Sequence, residues 1–235
     1  MQEHADERNG RIIPAFPALS PAVTHAELLL RLRDSLTGPL PGPGAHAAMA
    51  PRPRGDWPVG FDTALIRPAA GLLLLFPVDE QPHVVLTVRS DRVRHSGQVS
   101  LPGGAVEPGE AIEAAAVREA REEVALLEHD VRVLGALTPL DIPVSGFRLH
   151  PIIAALDRRP QLHPSNDEVA RILEIPVDTL LDPATVQWRR MVRDSLTMDV
   201  PAFVTHDSAI WGATAMILAE FLTMAGWTPP PHSRQ

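Results

Sequence analysis

Three glutamates, Glu119, Glu122 and Glu123, lie within five residues of one another on a stretch from Ala111 to Leu127 that holds no glycine or proline and is rich in alanine. That composition predicts a helix over 111–127. Spacings of three and four residues then put all three side chains on one face. If exposed, a like-charge pair of this kind costs only about 0.2–0.5 kcal/mol. At the mouth of a cleft, where the effective dielectric falls to about 20, the cost rises to several kcal/mol per pair. A positive charge must offset it there. Arg118 and Arg121 supply part of that charge, and clustered hard oxygen ligands suit Mg2+ or Mn2+. The same residues also fit a plain solvated helix face. Just upstream, Gly103 and Gly104 give a backbone without Cβ atoms, as a chain passing close to a metal and a phosphate requires.

The wider spacing separates these readings. The order runs Gly104, five residues, Glu110, seven residues, Arg118-Glu119-Ala120-Arg121-Glu122-Glu123, then Val124-Ala125-Leu126. A chance match to six such fixed positions is on the order of one in ten million per start position. This segment resembles the Nudix box, the signature of hydrolases that cleave nucleoside diphosphates linked to another moiety. The resemblance implies an α/β fold, an α/β/α sandwich around a mixed β-sheet, with an extra N-terminal helix in this chain. It implies that Glu119, Glu122 and Glu123 bind divalent cations, with Gly104 in the metal site. It further implies that Arg118 orients a glutamate by a charge-assisted hydrogen bond and that Glu110 braces the loop. The chain departs from the family at Ala125, where glycine is usual and where a helix end wants left-handed dihedrals.

Residues 86–104, "LTVRSDRVRHSGQVSLPGG", are similar to the extra motif of the coenzyme A pyrophosphatase branch, through Leu86, Thr87, Arg89, Ser90, Arg94, Gly97, Gln98, Val99, Pro102, Gly103 and Gly104. The segment between Ser90 and Gly97 is one residue shorter than usual, and Leu101 stands where phenylalanine is common. That branch often ends its box Glu-Glu-Val-Ala, as Glu122 to Ala125 do here. The resemblance runs over roughly residues 65–220 and continues through "NDEVARILEIP" and "AIWGATAMIL". It implies hydrolysis of the pyrophosphate bond of coenzyme A or its derivatives to 3′,5′-ADP and 4′-phosphopantetheine. Arg89, Arg92, Arg94 and His95 form a local basic cluster in an acidic chain, and an arginine fork can bind two phosphate oxygens at once. Arg89, Arg94, His95, Gln98 and Gly103 are the candidate substrate contacts. Arg118, Glu122 and Glu168 are the candidate catalytic groups, Glu122 and Glu168 both as general base. Two other readings stay open: a diphosphatase for ADP-ribose, a dinucleotide or a nucleotide sugar, and a non-catalytic nucleotide-binding module. A binding module would be expected to lack one of the metal glutamates, and this chain keeps all three.

The elements that must position these residues come from pattern. Thr24 with Glu27 three residues on, a leucine stripe, and Gly38-Pro39 as the stop predict a first helix. Residues 38–60 carry so many prolines and glycines that a linker without regular structure is expected. Strands are expected at 69–76 and 83–89 around a turn, at 131–141 and 147–156, and at 168–176, followed by a helical turn at 177–181. Residues 187–194 and 200–206 read as a hairpin, and 208–227 as one largely buried helix that holds Trp211 in the core. His150, His163 and His206 are scattered and receive no role. The expected organisation is an N-terminal arm, helix and linker over 1–60, the catalytic domain over 61–228 and a loose tail over 229–235. A net charge of −8 argues against a nucleic-acid binder and fits a small nucleotide partner held by a local basic patch. The chain has no cysteine, and its start lacks a basic segment followed by an apolar one, so a cytoplasmic protein that does not enter a membrane is expected.

Overall fold

A computed structural model describes residues 23–92, 97–127, 131–193, 196–206 and 208–230. In chain order the elements are α1 (His25–Leu36), α2 (Gly42–Ala48), β1 (Arg67–Val78), β2 (Gln81–Arg89), β3 (Val99–Ser100), β4 (Gly103–Ala105) and α3 (Ile112–Val124). They continue with β5 (Arg132–Ala136), β6 (Leu140–Ile142), β7 (Phe147–Ala155), β8 (Val169–Pro176), α4 (Val177–Leu181), β9 (Val186–Arg193), β10 (Leu196–Val204), β11 (Ala209–Trp211) and α5 (Ala213–Met224). β1 runs parallel to β7 and antiparallel to β2 and β4, so the main sheet is mixed, as expected. β8 pairs with β2, and β5 and β6 pair with β7. A second sheet holds β9, β10 and β11. Among the described residues no helix is long and apolar enough to cross a membrane.

The unbroken apolar run of β1 follows from its place between two helical layers. Leu72, Leu74 and Phe76 face a core completed by Ala115, Ala116, Ala120 and Val124 of α3, whereas Leu73 and Leu75 face a core built with α1 and α5. A strand covered on both faces keeps no polar alternation. The alanine face of α3 lets that helix lie close to the sheet, and Glu123, three residues on from Ala120, is buried along the same face. The hairpin between β1 and β2 closes on Asp79 and Glu80, both at positive φ (48° and 64°). That is the backbone hand a two-residue turn between twisted strands requires. The capping box of α1 forms as predicted: the Thr24 hydroxyl accepts from the Glu27 amide and the Glu27 carboxylate accepts from the Thr24 amide.

Three expectations are corrected. The run 131–141 is not one strand but two, β5 and β6, with 137–139 between them. Residues 38–60 are not wholly irregular, because α2 forms within them; the prolines fall at its N-terminal end, where amides have no intrahelical acceptor and proline is tolerated. The segment 208–227 is not one helix. Its first residues form β11, with Trp211 half-buried on the strand, and the chain turns at Gly212 (φ 67°) before α5 begins.

The pattern also gave no account of Glu220, which lies fully buried in the middle of α5. Its carboxylate accepts from Gly42 N (3.1 Å), His46 Nε2 (2.8 Å) and Thr138 Oγ1 (2.6 Å), tying α2 and the β5–β6 connection to α5. Burial pushes the Glu220 carboxyl up, and the donors from His46 and Thr138 outweigh it, leaving it below the usual glutamate range. Removing one partner of such a buried pair strands the other. Glu220→Ala is therefore expected to cost about 3–5 kcal/mol of unfolding free energy at pH 7, read by urea denaturation. A depressed carboxylate stabilises the fold above its unfolded pKa, and that stabilisation is lost as pH falls through the folded one. The gap between parent and variant should thus shrink in acid.

Candidate active site

The glutamate face of α3 lies against β4. Strand β4 pairs with the start of β1, Gly103 opposite Gly71 and Gly104 opposite Ala70. A Cβ on Gly103 would stand 2.3 Å from Ala70 O and 2.7 Å from Gly71 Cα, backbone atoms that cannot give way. On Gly104 it would stand 2.5 Å from the Glu119 carboxylate carbon. The two glycines therefore serve different needs: one lets the strands approach, the other seats an acid. Glu123 is only 5% exposed, and its carboxylate accepts from Gly103 N at 3.2 Å. Burial pushes the Glu123 carboxyl up to about 7, with the Gly103 bond opposing and the neighbouring charge of Glu119 adding to the rise. Glu119 is also raised, first by burial, with Arg118 opposing.

Arg118 gathers the rest of the cluster. Its guanidinium forks onto Glu110 (2.8 and 3.0 Å), donates to Glu119 Oε1 (2.9 Å) and Ala105 O (3.0 Å), and reaches Glu122 Oε2 (3.3 Å). Arg118 holds the Glu110 carboxyl below the usual range, helped by the Glu107 amide. Arg118, expected to orient a glutamate, thus donates to Glu119 and Glu122, and Glu110, expected to brace the loop, holds the other side of its fork. The Glu122 side chain is 56% exposed and shares Arg118 Nη1 with Glu119, whose carboxyl its charge helps to raise.

Glu168 comes to the same place from far along the sequence. The loop before β8 is fastened to the end of α3 by Ser165 N→Glu123 O (3.0 Å) and His163 N→Val124 O (3.2 Å). It is fastened to the end of β2 by Ser90 N→Glu168 O (2.8 Å). This leaves the Glu168 carboxylate 3.8 Å from Arg89 Nη2, close enough to Glu119 and Glu123 to raise both. Asn166 caps the turn through the Glu168 amide (3.0 Å). A Ser-Asn-Asp run is a local turn signal, but nothing local tells which helix the turn meets. The side-chain amide of Gln98 lies beside Gly212 at the start of α5. Arg94 and His95 lie outside the described residues.

Among the described residues no three acids or histidines already stand as ligands around one ion. The donor chemistry nevertheless fits a divalent cation. Glu123 is a nearly inaccessible carboxylate whose partner is a backbone amide, Glu119 sits beside it, and the fork of Arg118 is occupied by Glu110. Positive charge is in deficit at these oxygens, and hard oxygen donors are what Mg2+ and Mn2+ take.

Ala125 ends α3 in the left-handed conformation (φ 56°), as the glycine usual there would. An alanine in that region costs about 1–2 kcal/mol, and glycine's extra freedom when unfolded returns about 0.4–1 of it. Ala125→Gly is thus expected to stabilise the protein by about 0.5–1 kcal/mol in thermal or urea unfolding. A second prediction concerns Glu123. A raised carboxylate stabilises the fold fully below its unfolded pKa and loses that contribution as pH rises through about 7. In a chelator at pH 8, Glu123→Gln should therefore exceed the parent in stability, by roughly 3 kcal/mol at most. Equal stability at pH 8 would contradict the uncompensated charge.

The NUDIX domain model matches residues 65–194. An uncharacterised Nudix hydrolase, NudL, of Citrobacter koseri is 36% identical over 167 residues, covering 70% of this chain and 86% of that protein. The NudL of Yersinia enterocolitica is 36% identical over 151 residues, covering 63% of this chain and 77% of that protein. Among solved structures, a Nudix hydrolase from M. smegmatis, RenU, aligns with a TM-score of 0.48 and 22% identity, over 72% of this chain and 91% of that one. With the domain model covering more than half of the chain and relatives above 30% identity matched over most of their length, the protein belongs to the Nudix hydrolase family.

Proposed function

We propose that this Nudix hydrolase cleaves the pyrophosphate bond of coenzyme A or its derivatives, with Mg2+ or Mn2+, to give 3′,5′-ADP and 4′-phosphopantetheine. The observation that carries the reading is the place of Arg89. It belongs to the stretch 86–104 that resembles the coenzyme A branch, and it stands at the end of β2 beside Glu168, with its charge felt at Glu123. A diphosphate drawn to that arginine lies against the acids of α3.

Glu119 and Glu123, with Glu122 at the outer edge, are the residues to hold metal. Bound there, the metal supplies neutralisation of the diphosphate charge and a more acidic water. Arg118 keeps Glu119 and Glu122 oriented through its hydrogen bonds while Glu110 keeps Arg118 in place. Arg89 exchanges its loose contact with Glu168 for phosphate oxygens, a better match to its fork. Glu168 is then free to take the proton of the water that attacks phosphorus, as the bridging P–O bond breaks. Glu168 suits this role better than Glu122, whose carboxylate is engaged by Arg118.

The test is a substrate panel of coenzyme A, ADP-ribose, NADH and UDP-glucose with either metal. Coenzyme A should show the highest kcat/KM, and a clear preference for another substrate sinks the reading. Glu168→Gln should lower kcat by about 10^2 or more with little change in KM. If Glu122→Gln shows that loss and Glu168→Gln does not, the base is Glu122.

A further inference from the structure

β8 is bonded to β2 along one edge, and among the described residues no strand pairs with its other edge. A groove of about 360 Å3 follows that outer edge. It is lined by all of residues 171–176 together with Thr179, Thr205 and His206. A cavity on one face of a sheet touches every second residue of a strand, because side chains alternate. Contact with six in a row means the groove meets β8 from the side, where its outward N–H and C=O groups point. The apolar Ile172, Leu173 and Ile175 and the hydroxyls of Thr179 and Thr205 complete the wall.

The near end of the groove follows the candidate active site closely along the chain. Glu168 directly precedes β8, and Arg171, the near end of the groove, lies three residues on, about 10 Å along an extended strand. Pro176 lies about 17 Å beyond Arg171. We infer that this edge is the subsite for the arm of the substrate that leaves with the second phosphate: an extended chain bearing amide groups, which adds to β8 as a strand would. The inference rests on the coenzyme A reading above. The pantetheine arm carries two amides, each with a donor and an acceptor. From phosphorus to sulfur it spans roughly 16 Å when extended, which takes it from the diphosphate at Glu168 to the level of Leu173. The open strand edge then gains hydrogen-bond partners, and the gem-dimethyl and methylene groups lie on the apolar wall.

Two measurements test this on the full chain. In an amide-resolved NMR titration with pantetheine, the backbone N–H signals of residues 170–175 should shift. Shifts confined elsewhere, or none, overturn the inference. Thr179→Trp narrows the groove without touching the acids or arginines of the active site. It should raise KM for coenzyme A about tenfold or more with kcat nearly unchanged. Product inhibition by 4′-phosphopantetheine should weaken in parallel, while inhibition by 3′,5′-ADP stays as in the parent. Equal weakening of both products, or of neither, overturns it, as does a dimer in which a second copy occupies the edge. If the parent does not hydrolyse coenzyme A at all, the functional reading fails and the subsite fails with it. If it does and Thr179→Trp behaves as the parent, only the subsite fails.

Discussion

An acid placed in an apolar interior keeps its charge only if something positive or hydrogen-bonding meets it, and the fold around Glu123 withholds that something. A backbone amide from Gly103 is too weak to compensate for burial, so the carboxyl rises to about 7. Much of the surrounding structure follows from keeping this acid where it is. The alanine face of α3 sets how near the helix lies to β1, Gly103 lets the strands close, and Gly104 leaves room for Glu119. A larger side chain at any of these places would lift the helix and expose the acids to water. They would then ionise freely in solvent.

Arg118 shows how the charge deficit survives beside a guanidinium. An arginine next to three glutamates could neutralise the cluster, yet Nε and Nη2 of Arg118 are taken by Glu110 and Ala105 O and Nη1 by Glu119 and Glu122, and none of these bonds reaches Glu123. Glu110 therefore acts at a distance. By occupying one side of Arg118 it leaves Glu123 to a backbone amide while Arg118 still fixes Glu119 by one bond.

Much of this could be read from sequence because it is local. Spacings of three and four place the glutamates on one face whatever the helix packs on, and the Thr24–Glu27 box needs only one turn of chain. The hairpins β1–β2 and β9–β10 likewise follow from alternation and short turns. The sequence-based reading failed where a residue's partner is remote. Glu220 meets His46 from 174 positions away, so the proline-rich stretch could not be seen to contain a helix with a reason to form. Glu168 was recognisable as an acid in a loop, but its approach to Arg89 depends on Ser165 and His163 binding the end of α3. Ala125 is a subtler case: the backbone requirement was legible, and the structure meets it with a residue that fits it less well than glycine.

The bond between Glu220 and the α2 region bears on how far the molecule can be reduced. The residues proposed to carry the chemistry begin at Arg89, and a minimal hydrolase could be imagined that starts with β1. Such a truncated chain would retain α5 and therefore a carboxylate deep among leucines, with His46 and the Gly42 amide gone and only Thr138 left to meet it. The segment ahead of the catalytic stretch is thus a structural counterion for the helix that closes the fold, and deleting it would hydrate the interior from within.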